Sequence, residues 1–409
     1  MARGGGTTRE TVPGSPVGRP RRSVDAAPTA PTGLLRSFRP GRDTLWSSSR
    51  GTLLATGAAE RLDLPWTSDL PDLVGERLRE AAARTPAADA LVVGAAPFRT
   101  GAAAALVRPA AVRRAPGRLR PGRPVAPVPA VLSGAPAPAE EHYRESVRRA
   151  LDLLADGTLE KVVLARALDL RTASDVDVRA LVAALAAHDE EARVFAVPLP
   201  ATGSAPRTLV GASPELLVSL TAGRVLATPL AGSAARSADP DEDAARARAL
   251  LASDKDRREH ALVVDAMAHA LGAWCAELSV PAEPELVATP TVWHLATRVE
   301  GRTADPATTS LHLARALHPT PAVGGTPAGA ARRAIEELEP VDRGFYAGAV
   351  GWQDASGDGE WAVAIRCGVV EGPSVRLHAG AGIVRGSDPD SELAETTAKL
   401  ALLRSALGA

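Results

Sequence analysis

The sequence predicts an α+β protein. Helical and strand-like patterns are mixed irregularly along the 409 residues, rather than in the regular strand–helix–strand order of a doubly wound sheet. The polar and glycine-rich run Ser356–Gly359 separates two strand-like segments, which is typical of a β-hairpin. Hydrophobic residues make up 45% of the chain, enough for a substantial core in one large domain or two ordinary ones.

The N-terminal third has the weakest patterning. Residues 1–40 are rich in Gly, Pro, Arg, Ser and Thr without apolar periodicity, which predicts a disordered N-terminal extension. Residues 41–135 contain strand-like runs at 52–57 and 90–98 and a helical segment at 73–83, and we expect them to form the N-terminal part of the same fold as the rest. The section 108–138 is crowded with proline and arginine and predicts an exposed connection.

The patterning strengthens from residue 140 onward. Apolar residues at helical spacing predict helices at residues 143–155, 239–273, 309–317 and 330–338. Strands are predicted at 161–170, 209–220, 223–227, 344–353 and 361–370, with short strands near Leu286 and Trp293. A loop rich in proline and glycine is predicted at 318–329.

The stretch 376–400 combines a strand, a glycine-rich turn and a helix that begins after the start signal Ser387–Pro389. Glu392, Glu395 and Lys399 should share one helix face, because residues three and four apart are neighbours. A glycine turn lets backbone approach a ligand closely, and a helix N-terminus favours anions. Two carboxylates and an ammonium there suit a metal ion and an acidic substrate, although a solvated Glu–Lys pair has the same spacing.

Composition argues against several classes of function. A formal net charge of −1 gives no reason to expect nucleic acid or an anionic membrane as a partner. Cys275 and Cys367 provide neither a disulfide framework nor metal-type spacing. No apolar run is long enough to span a bilayer, and the N-terminus lacks the apolar core of a signal peptide, so we expect a cytoplasmic protein.

Lysine is rare in this chain. Lys and Arg together number 47, and only Lys161, Lys255 and Lys399 are lysine. Where arginine supplies the solvated positive charge, a retained lysine is a candidate for a task that arginine cannot perform, such as losing a proton. Lys161 opens an apolar strand, where burial would favour the neutral amine and make it a usable general base. The alternative is a strand-end lysine that reaches solvent.

Charged residues in apolar segments supply the other candidates. Glu215 lies where a carboxyl would hold its proton and act as an acid, unless it faces outward on an alternating strand. Arg366 needs a carboxylate partner, either from the protein or from a substrate. Glu259 could complete a Mg²⁺ site with Glu395, since this ion takes one or two protein carboxylates, although its charged neighbours also fit a solvated helix face. A histidine such as His294 is more often packed in a core.

Nine sequence blocks, in their order, resemble the chorismate-utilising enzymes: the anthranilate, aminodeoxychorismate, isochorismate and salicylate synthases. The resemblance covers roughly residues 140–405 and is loose before residue 135. It implies a single large domain of the anthranilate synthase component I-like fold, with antiparallel sheets packed as a sandwich, helices outside, and a chorismate-binding catalytic region at 136–409. The blocks are LEKVVLAR (159–166), GASPELL (211–217), TPLAGS (228–233), KDRREH (255–260), WHLAT (293–297), HPTPAVGGTP (318–327), FYAGAVGW (345–352), AIRCG (364–368) and GAGIVRGSDPDSELAETTAK (380–399).

Two positions within the resemblance separate the reactions. Family members that form a covalent adduct with the substrate ring carry a lysine where this chain has Ala231, and members that use ammonia lack the basic residue found here as Lys161. The resemblance therefore implies an isochorismate synthase, an isomerase that feeds siderophore or menaquinone biosynthesis. A salicylate synthase, which goes on to eliminate pyruvate in the same site, is the alternative. A non-catalytic chorismate-binding or scaffold protein is a third hypothesis, motivated by the divergent N-terminal part.

Carried over residue by residue, the resemblance implies the roles of the candidates. Lys161 would activate water for attack at C2 of chorismate, and Glu215 would protonate the departing C4 hydroxyl. The implied cofactor is Mg²⁺, bound by Glu259, Glu392 and Glu395. We expect a monomer whose partner is the small molecule chorismate, with neither nucleic acid nor membrane. The residues implied to bind the substrate are Gly232, Ser233, His294, Tyr346, Arg366, Gly380 and Lys399.

Overall fold

The computed structural model of the protein describes residues 1, 4, 30–121 and 129–408. Most of the predicted extension, 1–40, lies outside the described residues, but its last part is not disordered, because Pro31–Ser37 forms helix α1. Leu34, Leu35 and Phe38 fall on one face of this segment and are buried in the core. The prediction of disorder is therefore wrong for residues 31–38, where three large apolar side chains are sufficient to dock the segment.

The remaining helices and the strands mix irregularly along the chain, as predicted. The further helices are α2 Leu70–Ala82, α3 Glu140–Ala155, α4 Val178–His188, α5 Pro240–Ala252, α6 Asp254–Gly272, α7 Ser310–Leu317, α8 Ala328–Leu338 and α9 Pro389–Ala406. The strands of the N-terminal part are β1 Thr44–Ser48, β2 Gly51–Thr56, β3 Glu60–Leu62, β4 Leu91–Ala96, β5 Ala105–Arg108, β6 Ala111–Ala115 and β7 Val131–Ala137. The strands that follow are β8 Lys161–Thr172, β9 Arg193–Leu199, β10 Arg207–Ser213, β11 Leu216–Thr221, β12 Arg224–Thr228, β13 Leu230–Ala235, β14 Cys275–Ser279, β15 Glu285–Ala288, β16 Val292–Ala296, β17 Val299–Thr303, β18 Gly325–Thr326, β19 Ala349–Asp354, β20 Gly359–Val363, β21 Cys367–Glu371 and β22 Ser374–Ile383.

These strands form two large antiparallel sheets and one small sheet. The first large sheet has the order β18-β8-β22-β21-β10-β9-β1-β2-β6, with β7 also paired to β8, and the second has the order β14-β17-β12-β11-β20-β19-β4-β5-β3. The small sheet is β13-β16-β15. One hydrophobic cluster joins Trp46 and Leu209 of the first sheet to Val218 and Trp361 of the second, so the two sheets pack face to face. Helices α4 and α9 pack on the first sheet, which confirms the predicted α+β sandwich.

Two segments predicted as single strands instead cross from one large sheet to the other. Residues 209–220 divide into β10 and β11, and residues 361–370 divide into β20 and β21. The first strand breaks at Pro214, which has no N–H to donate to a ladder, and the second breaks at Arg366, whose φ of 50° ends the extended conformation. The two crossings run side by side, because β10 pairs with β21 and β11 pairs with β20.

Three further predictions can be compared with the structure. The predicted long helix 239–273 is two helices, because Ser253 has extended backbone and its hydroxyl accepts a hydrogen bond from the N–H of Asp256 in the new first turn. The predicted exposed connection 108–138 contains strands β6 and β7. The hairpin predicted around Ser356–Gly359 is confirmed between β19 and β20. Within the described residues, no helix is both long enough and apolar enough to cross a membrane.

Candidate active site

A cavity of about 230 Å³ is lined by both crossings, by β13 and β16 of the small sheet, and by α6, β22 and α9. Glycine is favoured at two points of its wall: Gly232 has a φ of 76°, and a Cβ on Gly380 would make a tight contact of 3.1 Å with the Tyr346 hydroxyl. Lys161 and Glu392, which were predicted as site residues, are not on the wall. The predicted residues that do line the cavity are Glu215, Gly232, Ser233, Glu259, His294, Tyr346, Arg366, Gly380, Glu395 and Lys399.

Lys161 lies directly behind the cavity wall. It is fully buried at the start of β8, and its Nζ lies 2.9 Å from Oε1 of Glu259, which does line the cavity. Gly382 makes this arrangement possible, because a Cβ there would overlap the Glu259 carboxylate and lie 3.1 Å from Cε of Lys161. Lys161 is therefore a buried amine beside the cavity and not a strand-end lysine in solvent.

Glu215 occupies the first crossing, immediately after Pro214. Its side chain is 2% exposed. Burial raises the pKa of Glu215 to about 8, although a hydrogen bond from the backbone N–H of Leu230 and the positive charges of Lys161 and Lys399 oppose the rise. At neutral pH this carboxyl therefore holds its proton, which suits a proton donor. Its burial excludes an outward-facing position.

Four carboxylates gather on one side of the cavity. Asp256, Glu259 and Glu395 line the wall. Glu392 lies three residues before Glu395 on α9 and does not line the cavity. Burial, followed by repulsion from Glu395 and Glu259, raises the pKa of Glu392. Burial and repulsion from Glu259 and Glu395 also raise the pKa of Asp256. The group therefore has an excess of negative charge that a bound cation would relieve.

Two lysines face these carboxylates. Nζ of Lys399 lies 2.5 Å from Oε1 of Glu395 and donates a hydrogen bond of 3.0 Å to the carbonyl of Gly380. Nζ of Lys255 lies 3.5 Å from Oε1 of Glu392. Burial on its own would raise the pKa of Glu395, but the charge and hydrogen bond of Lys399, together with the Ser233 hydroxyl and the charge of Lys255, outweigh it, and the pKa is lowered. Glu395 is thus an ionised carboxylate on the cavity wall.

Arg366 lies in the second crossing and lines the same cavity. Its side chain is buried, and burial lowers its pKa against the weaker, opposing charges of Glu395 and Asp189. None of the ion pairs in the described part of the chain includes Arg366, so the guanidinium is available to a substrate carboxylate. Tyr346 also lines the wall, with its ring stacked on His378 at a centroid distance of 5.1 Å.

His294 lines the same cavity from β16, directly opposite Ser233 in the strand register. Burial, reinforced by the positive charges of Arg366 and Lys399, lowers its pKa well below the usual value. Its Nε2 has no hydrogen-bond partner among the described residues. His294 is therefore a neutral imidazole that offers a polar atom to the cavity, rather than a core histidine whose ring nitrogens are both satisfied.

Several residues of the wall are not among the predicted site residues. Asp256 stands three residues before Glu259, so the helical spacing of the KDRREH block could have identified it. Lys255 had been selected for its rarity but given no role. Ala322 and Val323 line the cavity as small and medium apolar residues, and nothing in their local pattern distinguishes them from core.

The comparison with known proteins identifies the family. A family model described as "Chorismate binding enzyme" matches residues 120–408. The chain belongs to the chorismate-binding enzyme family. This membership confirms the family predicted from the nine sequence blocks, and the matched range includes every residue of the cavity wall described above.

Individual members of the chorismate-binding family cover nearly the whole chain. The isochorismate synthase DhbC of Bacillus subtilis (strain 168) is 44% identical over 381 residues, which are 92% of this chain and 96% of that protein. The crystal structure of DhbC from Bacillus anthracis is similar with a TM-score of 0.87 and 42% identity, covering 92% of this chain and 99% of that one. Anthranilate synthase component I from Streptococcus pneumoniae has a TM-score of 0.67 at 22% identity, covering 94% and 93%. This last similarity concerns the fold alone and confirms the predicted fold.

Proposed function

We propose that the protein is an isochorismate synthase, which isomerises chorismate to isochorismate. The observation that carries the proposal is that a proton-holding carboxyl, Glu215, lines the cavity, and a buried amine, Lys161, lies directly behind the wall of the same cavity. Residue 231 of that wall is alanine and not lysine. In the family, a lysine at position 231 serves the covalent route and the ammonia-using members lack a lysine at position 161, so Ala231 and Lys161 together favour water as the nucleophile. The similar DhbC of Bacillus subtilis is an isochorismate synthase.

The proposed reaction adds one water and removes another. Lys161 takes a proton from a water molecule while the oxygen of that water forms a bond to C2 of the ring. The two ring double bonds shift, the C4–O bond breaks, and Glu215 gives its proton to the departing hydroxyl, which leaves as water. Atoms and charge balance, and a proton transfer from the ammonium to the carboxylate through solvent restores both groups. Each acid–base contribution is worth about 10²–10⁴-fold in rate.

The polar wall of the cavity would hold a substrate with two carboxylates. Arg366, Tyr346 and Lys399 would bind the enolpyruvyl carboxylate, and the guanidinium offers paired donors suited to a planar anion. Ser233 and the backbone at Gly380 would line the ring. Ser233 and Gly380 lie on strands and Lys399 on helix α9, while Tyr346 and Arg366 are buried in the segments that flank β19 and β21. These groups are therefore already in position before the substrate arrives.

Mg²⁺ fits the carboxylates of this cavity, and Glu259 and Glu395 would hold it. The described residues contain no arrangement of three His, Cys, Asp or Glu side chains around one point, and Mg²⁺ typically needs only one or two carboxylates, with water and substrate oxygens as its other ligands. When bound, the ion supplies positive charge that orients the ring carboxylate. Glu392, off the wall, would contribute negative charge rather than a direct ligand.

The same proposal includes the cellular location and the oligomeric state of the protein. A biosynthetic isomerase acting on a small metabolite would work in the cytoplasm, as a monomer, with chorismate as its partner. The residues proposed to act lie on elements of this one chain, so no second subunit is needed to complete the site. Gel filtration with light scattering measures the oligomeric state, and a dimer at working concentration would contradict the proposed monomer.

Chorismate turnover tests the proposed function. Purified protein is incubated with chorismate and Mg²⁺, and the products are separated by liquid chromatography with mass detection. Isochorismate as the product is the expected result. Salicylate and pyruvate formed without an added lyase would instead identify a salicylate synthase, and calorimetric binding of chorismate without turnover would identify a binding protein.

A further inference from the structure

An ion pair between a partly buried arginine and a buried glutamate joins the two large sheets outside the wall of the cavity. Nε of Arg193, on β9 of the first sheet, donates to Oε1 of Glu360, on β20 of the second sheet, at 3.0 Å. Glu360 is 1% exposed. Its other oxygen accepts hydrogen bonds from Ser48 Oγ at 2.7 Å and from Trp46 Nε1 at 3.4 Å. Both carboxylate oxygens thus have donors, and the pair is held in one geometry.

This pair lies beside the crossing that carries Glu215. Arg193 stands directly opposite Ser213 in the β9–β10 register, and its Nη1 is 3.4 Å from the carbonyl oxygen of Pro214, to which it donates. Glu360 stands opposite Ser219 in the β11–β20 register. The ion pair therefore contacts the strands on both sides of the two-residue crossing, and one of its partners binds the peptide oxygen immediately before Glu215.

Stability alone does not account for a pair of charges at this place. A buried ion pair loses hydration on both sides, and well-packed apolar residues are often as stable or more stable. The rings of Trp46 and Trp361 belong to the neighbouring core, but an apolar pair would remove the hydrogen bonds to Ser48, Trp46 and the Pro214 carbonyl. The pair also affects a residue of the site, because Arg193 is one of the three cationic side chains whose charge lowers the pKa of Glu215.

We propose that Arg193, held by Glu360, is a positioning residue that sets the orientation and the proton affinity of Glu215. This inference rests on the proposed function, in which Glu215 is the proton donor. Arg193 does not line the cavity, so it acts through the Pro214–Glu215 turn and through its charge rather than by touching the substrate.

The charges that face Glu215 come from three elements. Lys161 faces it from β8, Lys399 from α9 and Arg193 from β9, and the backbone N–H of Leu230 donates to it. Lys161 and Lys399 belong to the proposed binding and catalytic groups, so their removal would disturb more than one step. Arg193 and Glu360 are off the cavity wall and opposite in charge, which lets their separate effects on Glu215 be distinguished.

The test compares Arg193→Gln, Glu360→Gln and Arg193→Lys with the wild type. The kcat for isochorismate formation is measured as a function of pH. Both Gln variants should lose about tenfold in kcat at their optimum with KM changed less than about twofold, because the donor is misplaced while substrate contacts remain. The loss of activity at high pH, where Glu215 gives up its proton, should move by about half a pH unit or more. It should move upward without the Arg193 charge and downward without the Glu360 charge.

Two controls separate this role from a purely structural one. Arg193→Lys keeps the positive charge and should leave the high-pH limb at the wild-type position while losing part of kcat. Arg207→Gln removes an arginine at the other end of the β9–β10 pair, where Arg207 lies 3.6 Å from Glu371, and should change neither property. Circular dichroism checks folding.

The proposal would be overturned if the pH at which kcat falls, on the high-pH side of the profile, moves in the same direction in both Gln variants or does not move. If Arg193→Gln does not fold, Glu360→Gln decides on its own, because a limb at or above the wild-type pH contradicts the inferred charge effect. A wild-type protein that forms no isochorismate would instead refute the proposed function, so the two failures are distinguishable.

Discussion

Replacing Glu215 with glutamine should abolish catalysis and stabilise the protein at the same time. The carboxyl has a pKa of about 8 in the folded protein against a reference of 4.5. At pH 7 about 90% of the molecules therefore carry the proton on Glu215, whereas a solvated glutamate would carry it in about 0.3% of molecules. Burial thus increases the population of the proton donor by about 300-fold, and glutamine, which has the same shape, cannot donate that proton.

The stability effect follows from the same pKa shift. Because the folded pKa lies above the unfolded value, the folded state binds the proton more tightly, and stability is lost as the pH rises from 4.5 toward 8. At pH 7 the accumulated loss is roughly 3 kcal/mol, at about 1.4 kcal/mol per pH unit. The Glu215→Gln side chain is neutral at every pH, so the variant should gain about that free energy of unfolding at pH 7 and almost nothing near pH 4.5.

Two measurements test this reasoning. Urea unfolding of wild type and variant at pH 5 and pH 8 gives the difference in the free energy of unfolding, and chromatographic detection of isochorismate gives kcat, which should fall by about 10²–10⁴-fold. Glu371→Gln, in which a partly exposed carboxylate on β21 is replaced, is the matched control and should change neither quantity much. A stability gain of equal size at both pH values, or a variant that keeps more than a tenth of its activity, would refute the assignment.

Three further variants test the remainder of the site. Lys161→Ala should reduce turnover by at least about 10²-fold while circular dichroism shows an intact fold, and a substantial residual rate would remove Lys161 from its proposed role as the base. Glu395→Gln should weaken Mg²⁺ binding by about tenfold or more in a calorimetric titration and should reduce the rise in Tm that Mg²⁺ causes in the wild type, whereas an unchanged titration would contradict its proposed role as a ligand. Gly382→Ala should displace the Glu259 carboxylate, because the added Cβ would overlap it. The variant should need a higher Mg²⁺ concentration for half-maximal rate, without a large change in far-ultraviolet circular dichroism. An unchanged dependence of the rate on Mg²⁺ would show that the cavity wall accommodates the added Cβ.

The elements and residues predicted correctly from the sequence depend mainly on local pattern. Helix α9 begins after Asp388, whose side chain accepts a hydrogen bond from the N–H of Ser391, and Pro389 occupies its first turn. Both features are readable from three consecutive residues. Glu395 and Lys399 are likewise one helical turn apart, and they meet in the structure at 2.5 Å. Local spacing is therefore enough to bring such residues together.

Features that depend on distant strands were not predicted. Glu360 is bound by Ser48 and Trp46, which precede it by more than 300 residues in the chain, and no periodicity connects residues so far apart. Lys161 was recognised by its rarity, but its ion pair with Glu259 requires the register that brings β8 next to β22 at Gly382. Glu392 was predicted as a metal ligand from helical spacing, which shows the face that a side chain shares but not whether it reaches the cavity, and in the structure it lies off the wall.

The two crossings explain both the failed strand predictions and the position of the site. A side chain in a regular strand of a sandwich points either into the packed core or away from it. Where the chain leaves one sheet for the other, that constraint ends, and Glu215 and Arg366 occupy these two places. The carbonyls of both residues are hydrogen-bonded to the neighbouring strands, since the N–H of Val363 donates to the carbonyl of Glu215 at 3.2 Å and the N–H of Ala212 donates to the carbonyl of Arg366 at 3.1 Å. Two ionisable residues can therefore be buried beside one cavity while their peptide carbonyls remain hydrogen-bonded, at the cost of an uninterrupted strand pattern.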